Sequence, residues 1–390
     1  MKATKVVAYQ STISHTVKCL LILHGIWPDT SCITLCKVFW SVSLTIIQFW
    51  HYKYLLAHFY SNDIFDLMDC LSTFIGYFKL LIKIIVFWWN QQIFNQILRT
   101  MAEDWKECAT NDIEMRKIIS KAKISHHISN AIVTLHTVTV LFYGTNIILT
   151  DVDITDRTVE IPHLIRIELP FDIKTQNMYT FVLIIEVIQL LMSSLGTAMV
   201  NALLIALTLH IGGQIDILHC WLTELEFVQS ADIYRINVIK KIIQKHQKII
   251  YFTENIEALY IFIALLQFVS NVIMICILGF LVITALDNPN ATEKIMRSLS
   301  YYSVTNLEAF IFCYAGEYLI NKSKAIGYAA YDSAWYNMEP KDRRILLLII
   351  LRSQKQLTLT IGKLMDLSLQ RFTSIMNSAG SYISVLMAMQ

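Results

Sequence analysis

Two stretches leave this chain little freedom. Residues 257–286 contain one charged side chain, Glu257 at the edge, and residues 178–209 also contain one, Glu186. A run of about 20 apolar residues matches a hydrocarbon layer roughly 30 Å thick. Backbone in that layer finds no water, so it closes its own hydrogen bonds as a helix or a sealed barrel. Barrel strands alternate apolar and polar residues. These runs do not alternate, so they are helices. Hydrophobic residues make up 55% of the 390 positions and charged residues 16%, where a soluble domain carries roughly a quarter charged. All five prolines (Pro28, Pro162, Pro170, Pro289 and Pro340) fall between the apolar segments, as the missing N–H and the ring clash inside a helix require.

The pattern predicts an all-α membrane protein with seven transmembrane helices. S1 spans 33–50, S2 67–89, S3 128–149, S4 178–209, S5 257–286, S6 299–320 and S7 364–388. Trp50, Trp88 and Trp89 close S1 and S2, where an interfacial aromatic belt belongs. The 32 residues of S4, at about 1.5 Å each, exceed the membrane thickness. S4 therefore tilts strongly or runs on into the cytosol, and the Ile- and Lys-rich segment after it favours running on. Ile345 to Leu351 is apolar throughout. It is too short to span and too apolar all round for a solvent-facing helix, so burial against other protein on the cytosolic side is expected, as in an oligomer.

Lys and Arg concentrate on one side. The N-terminal segment and loops 90–127, 210–256 and 321–355 carry 21 of them, while loops 51–66, 150–177 and 287–298 carry 6. Cytosolic loops hold the excess, which places the N-terminus in the cytosol and the C-terminus outside, the reverse of a G-protein-coupled receptor. The sequon Asn290-Ala291-Thr292 then lies outside, where glycosylation occurs. The apolar stretch Leu20 to Leu23 is too short for the core of a cleavable signal peptide, so S1 is expected to act as the insertion signal.

Enzyme signatures are missing: no G-x-G-x-x-G, G-x-x-x-x-G-K-[ST], H-E-x-x-H or G-x-S-x-G occurs, and each encodes a chemistry that needs its spacing. A net charge of +2 leaves no nucleic-acid footprint. The eight cysteines form no disulfide framework; Cys32 and Cys36 have a metal-like spacing, but no second ligand pair follows. No metal and no cofactor is expected. His136 stands alone on S3 and is expected to hydrogen-bond within the bundle.

Charges inside spans are costly. Lys79 and Lys83 lie four apart on S2, Glu186 is in S4 and Glu308 is mid-S6. Two readings stand side by side: structural pairing of the lysines with Glu186 or Glu308, or a place on the border of a water-filled cavity. S7 shows a hydroxyl stripe, Ser374, Ser378 and Ser381, leading to Val385, with Met389 beyond. Such a face lines water and ends in a hydrophobic closure, or it simply allows tight packing in lipid. The outer halves of S2, S3, S4 and S6 hold Phe74, Tyr77, Phe78, Phe142, Tyr143, Tyr179, Phe181, Tyr301 and Tyr302, with Thr305 beside them. They suit an apolar pocket with a few polar groups, or an interface belt and bundle core.

The C-terminal third resembles a known pattern. Ala330-Tyr331-Asp332-Ser333-Ala334-Trp335-Tyr336 is followed by Arg343-Arg344, Arg352-Ser353-Gln354-Lys355, Leu357-Thr358-Leu359-Thr360 and Gly362-Lys363. Leu367-Ser368-Leu369, Phe372-Thr373-Ser374-Ile375 and Ser381-Tyr382-Ile383-Ser384-Val385-Leu386 complete it. In order and spacing this is similar to the C-terminal signature of insect odorant receptors, closely over 328–387 and more loosely from His246 through Cys276.

The resemblance implies a subunit of a ligand-gated cation channel working as a tetramer with an odorant co-receptor. Residues 1–320 would supply S1 to S6 with an outer ligand pocket and cytosolic helix extensions. Residues 321–390 would supply a cytosolic anchor helix and the pore-lining S7. The ligand-binding set would be the ten outer-half residues, for a small volatile or apolar ligand. The pore and gate set would be Ser374, Ser378, Ser381, Val385 and Met389, with Val385 as the hydrophobic gate and cations as the permeant species. The family often has Thr-Tyr-Phe where Ser381-Tyr382-Ile383 stands. The co-receptor has a Gln where Ala388 stands and a longer S4–S5 loop, so the chain resembles a tuning subunit. A plasma-membrane location on a sensory dendrite follows from the same likeness. A gustatory-type receptor channel and a self-sufficient homomeric channel share the architecture. A transporter would show an internal repeat between halves, and none is apparent. Epitopes appended at the two ends test orientation. The C-terminal one is expected to label on intact cells and the N-terminal one only after permeabilisation; the opposite result overturns the topology.

Overall fold

The computed structural model describes residues 11–28, 30, 32–60, 64–149, 163–168, 173, 175–224, 232–285, 291–333 and 335–388. They are almost wholly helical. In chain order the helices are α1 (His15–Leu23), α2 (Ile33–Ala57), α3 (Ile64–Trp89), α4 (Gln91–Cys108), α5 (Asp112–Leu149), α6 (Gln176–Glu224), α7 (Asp232–Ala285), α8 (Ala291–Asp332), α9 (Pro340–Gln354) and α10 (Leu369–Ala388). Two short strands, β1 (Thr360–Ile361) and β2 (Met365–Asp366), precede α10. Each of the seven expected spans falls on a helix over all or most of its described length, S7 only from Leu369 onward. Among the described residues, α2, α3, α6 and the Ile236–Ala285 part of α7 are long and apolar enough to cross a membrane. S3, S6 and S7 lie on α5, α8 and α10, helices of 38, 42 and 20 residues.

S4 does run on. α6 is one helix of 49 residues, about 70 Å at roughly 1.5 Å per residue. From Ala198 to Ile215 every side chain is buried, and a helix apolar all round belongs at the centre of its bundle. α5 and α8 pack along it. S5 likewise continues inward as α7, a single helix of 54 residues, and α8 runs through residue 320 without a break.

Two expectations are corrected. Pro340 is not in a loop; it occupies the first turn of α9, where its absent N–H would have had no partner. S7 starts five residues late, at Leu369 rather than 364. Residues 360–366 instead fold back as an antiparallel pair, Thr360 against Asp366 and Ile361 against Met365. Gly362 and Lys363 both take positive φ, 58° and 61°, a conformation that no helix accommodates. The apolar run of α9 splits by face: Leu346 and Ile349 are buried, whereas Leu347, Leu348 and Leu351 are exposed.

The half of the bundle that carries the Lys- and Arg-rich loops is pinned by Asp104 on α4. Its carboxylate meets His210 Nε2 of α6 at 3.1 Å and both Lys245 and Lys248 of α7 at 3.0 Å. Thr12 reaches the other ring nitrogen of His210 at 3.1 Å. Burial works against the charge of Asp104, but His210, Lys245 and Lys248 hold its carboxyl below the usual carboxylate range. A depressed carboxyl contributes stability that is present above the ordinary carboxylate value and lost as pH falls through the folded one. Asp104→Asn leaves buried Lys245 short of its partner. It is expected to cost about 3–5 kcal/mol, read as a lower melting temperature of detergent-solubilised protein; an unchanged melt would show that the cluster does not hold the helices together.

Candidate functional site

Four helices enclose a cavity of about 80 Å³. One water takes roughly 10–15 Å³ of such space, so the cavity holds about six waters or one compact organic molecule. α3 contributes Thr73, Gly76, Tyr77 and Lys79, and α5 contributes His136, Thr139, Val140 and Tyr143. α6 gives Leu190, Ser193, Ser194 and Thr197, and α8 gives Tyr301, Val304 and Glu308. Each set recurs every three or four residues, which places it on one helix face. Gly76 is needed here because a Cβ at that position would collide with the Tyr301 hydroxyl.

One end of the cavity is ionic. Lys79 Nζ lies 2.8 Å from Glu308 Oε2, and Lys83 Nζ lies 3.9 Å from the same oxygen. Asn271 accepts hydrogen bonds from Lys79 at 3.4 Å and from Gln267 at 2.6 Å, and Gln267 also donates to Glu308. The lysines pair with Glu308, and Lys79 and Glu308 also border the cavity.

Glu186 does something else. It accepts from the Leu164 backbone N–H at 2.8 Å and pairs with His163 Nδ1 at 3.0 Å. On the other side, Arg297 donates to the Leu164 carbonyl at 3.1 Å and pairs with Asp69 at 2.8 Å and with the Tyr143 hydroxyl. Arg166 adds a pair with Asp66 at 2.8 Å. Leu164 and Ile165 are thus buried among Trp40, Tyr77 and Tyr143. A loop segment forms a plug over the end expected to face outside. Sequence reasoning missed it. The available signal was Leu164-Ile165 and Ile167, apolar residues in a segment that water should bathe.

The ten residues expected to bind ligand are not gathered together. Tyr77, Tyr143 and Tyr301 line the cavity. Phe78, Phe142 and Phe181 point out of the bundle, with Phe181 64% exposed. Phe74 stacks on Phe78 with centroids 6.3 Å apart. Tyr179 is buried beside the His163 ring. Tyr302 packs with Met274 and its neighbours on α7, and Thr305 donates to the Tyr301 carbonyl of its own helix at 3.0 Å. The polar liners His136, Ser193, Ser194 and Thr139 were outside the expected set, because helix phase and not aromatic content decides what faces inward.

On α10, Ile375 and Ala379 are buried, while Ser374, Ser378, Ser381 and Val385 are exposed, Val385 by 58%. The hydroxyl stripe is the face that this chain leaves uncovered. Met389 lies outside the described residues. Phe310 of α8 meets Phe372 of α10 edge to face at 5.7 Å, and the Leu367 backbone packs directly on Gly316 of α8.

The described residues form a helical bundle in which α3, α5, α6 and α8 line a small cavity and α10 leaves a polar face uncovered. The family model described as 7tm Odorant receptor matches residues 63–380, and the chain belongs to that family. Odorant receptor 10 of Aedes albopictus is 32% identical over 146 residues, 37% of this chain and 38% of that one. Odorant receptor Or2 of Anopheles gambiae is 28% identical over 148 residues, 38% of each. The matched stretch thus spans less than half the length of these curated relatives. The fold matches the insect olfactory receptor OR5 of Machilis hrabei, solved in complex with eugenol, at a TM-score of 0.74 and 15% identity, covering 96% of this chain and 98% of that one. Its structure described without eugenol gives a TM-score of 0.75 at 16% identity.

Glu186→Ala would strand the buried Leu164 N–H, at a cost of about 1–3 kcal/mol. Amide hydrogen exchange at Leu164 and Ile165 is expected to rise several-fold against wild type. Unchanged exchange would mean that the plug is held by Arg297 alone.

Proposed function

We propose that this chain is the odorant-binding subunit of a heteromeric ligand-gated cation channel in a sensory-neuron plasma membrane, assembled with an odorant co-receptor. The observation that carries this reading is the plugged cavity among α3, α5, α6 and α8, the four helices on which the resemblance places the ligand. A small, mostly apolar ligand enters it and is held by burial. Ligand binding moves the gate only by its differential affinity for the open state. α8 supplies the connection, since it carries Glu308 in the cavity wall, touches α10 through Phe310–Phe372, and meets the segment just before α10 through Gly316–Leu367. Residues 321–390 anchor the subunit and present α10 to a shared axis. Cations pass its serine face, and Val385 closes the path by dewetting.

Whole-cell current with and without an insect odorant co-receptor, under an odorant panel, tests the reading. An odorant-dependent cation current that needs both chains is expected, and Val385→Ala should raise the basal current several-fold. Current from this chain alone would make it a homomeric channel. Silence with verified surface expression removes the channel reading, and a variant matching wild type in basal current and sensitivity removes the gate.

A further inference from the structure

Four hydroxyls of the cavity wall have already spent their hydrogens. Thr73 donates to the Cys70 carbonyl at 2.9 Å, Thr139 to Leu135 at 2.9 Å, Thr197 to Ser193 at 3.3 Å and Tyr301 to Ser72 at 3.4 Å. Each of these hydroxyls turns a lone pair, and no proton, toward anything that enters. Lys79 is held by Glu308 and Asn271.

His136 sharpens the asymmetry. Ser194 Oγ donates to the His136 carbonyl at 3.4 Å and lies 3.1 Å from His136 Nδ1. A carbonyl can only accept and a serine hydroxyl has one proton. With the one Ser194 proton on that carbonyl, Nδ1 is the protonated nitrogen, donating to Ser194, and Nε2 carries a bare lone pair. His136 is 1% exposed, and Nε2 has no partner among the described residues. A buried acceptor left unmatched is costly, and the cavity is the space against which this ring lies.

We infer that the ligand of this cavity is a small neutral molecule bearing a hydroxyl group, an alcohol or phenol, whose O–H donates to His136 Nε2. The inference rests on the proposed role of the cavity as the ligand site. Tyr77 and Ser193 hydroxyls are also unpartnered and are free to rotate a proton toward the oxygen of the same group. A ketone, ether or aldehyde of the same skeleton fills the space but leaves Nε2 unmatched. A carboxylate has no proton to give. An ammonium ion would meet Lys79 and Lys83 against the single carboxylate of Glu308. The cavity volume limits the ligand to a compact molecule the size of a six-membered ring with a short substituent.

The test uses the full chain in lipid nanodiscs and two pairs with equal heavy-atom counts, cyclohexanol with cyclohexanone and benzyl alcohol with benzaldehyde. Affinities are measured by calorimetry or ligand-observed NMR for wild type, His136→Phe and Ser194→Ala, with thermal melts to verify folding. Wild type is expected to prefer each alcohol by on the order of tenfold. His136→Phe removes the acceptor and should bring the ratio near one without weakening the ketone. Ser194→Ala frees the tautomer and should narrow the ratio, and it carries the test if His136→Phe does not fold. A purely structural role for His136 would weaken both members of a pair equally. Equal wild-type affinities, a ratio unmoved in the variants, or binding of neither member overturns the inference. Alcohol-selective binding without any current in co-receptor-expressing cells sinks the channel reading and leaves the ligand class standing.

Discussion

A buried carboxylate organises the centre of this bundle. Glu308 on α8 is 4% exposed, and removing an ion from water costs several kcal/mol even after the protein relaxes. Lys79 at 2.8 Å offsets that, with Gln267 donating to the same carboxylate and Asn271 accepting from both Lys79 and Gln267. The three elements supplying those groups, α3, α7 and α8, are thereby fixed in register, since a one-turn slip would strand an ion. Paired charges do not fill space as tightly as aliphatic side chains, and the cavity begins where the ionic cluster ends. The same interaction thus sets helix registry and places ions at one end of the chamber.

Beside the chamber, a loop segment is held through its backbone. Leu164 has its N–H on Glu186 and its carbonyl on Arg297, so a loop segment behaves there as though it were a strand with a partner on each side. Arg297 pairs with Asp69, and Glu186 hydrogen-bonds His163. The segment is held by these directional bonds and by the burial of Leu164 and Ile165 among aromatic side chains.

The spans were legible because a bilayer imposes one length and one composition on every crossing. The extensions of S4 and S5 were legible for a related reason: nothing in Gln214 to Glu257 breaks a helix. The start of S7 was not. Gly362 and Lys363 take positive φ, and such a turn is fixed by the packing of Gly362 against Leu265, a contact between residues nearly a hundred positions apart. The cavity helices were named from the sequence, but only three of ten side chains were. Helix rotation decides that. Phe78 and Tyr77 are neighbours in sequence, yet one faces outward and the other lines the chamber. The family likeness carries no information on rotation at this resolution. The serine face of α10 was readable because its own periodicity, and not its neighbours, defines it.

That face raises a question of stability whose answer lies outside the single chain. α10 buries Ile375 and Ala379 and exposes Val385 and Tyr382 together with its serines. α9 buries Leu346 and Ile349 and exposes Leu347, Leu348 and Leu351. On a helix meant for lipid alone, hydroxyls would be an unhelpful ornament; on one meant for water alone, three exposed leucines would be a liability. The two helices are consecutive in the chain, joined by the β1–β2 turn that seats Gly362 on α7. If α9 is covered by neighbouring subunits, α10 is carried toward the axis that those subunits share. Its hydroxyl face then meets the equivalent faces of its neighbours, not lipid. Each subunit would stabilise the pore through a surface remote from it, which leaves α10 itself lightly held and free to move when α8 does.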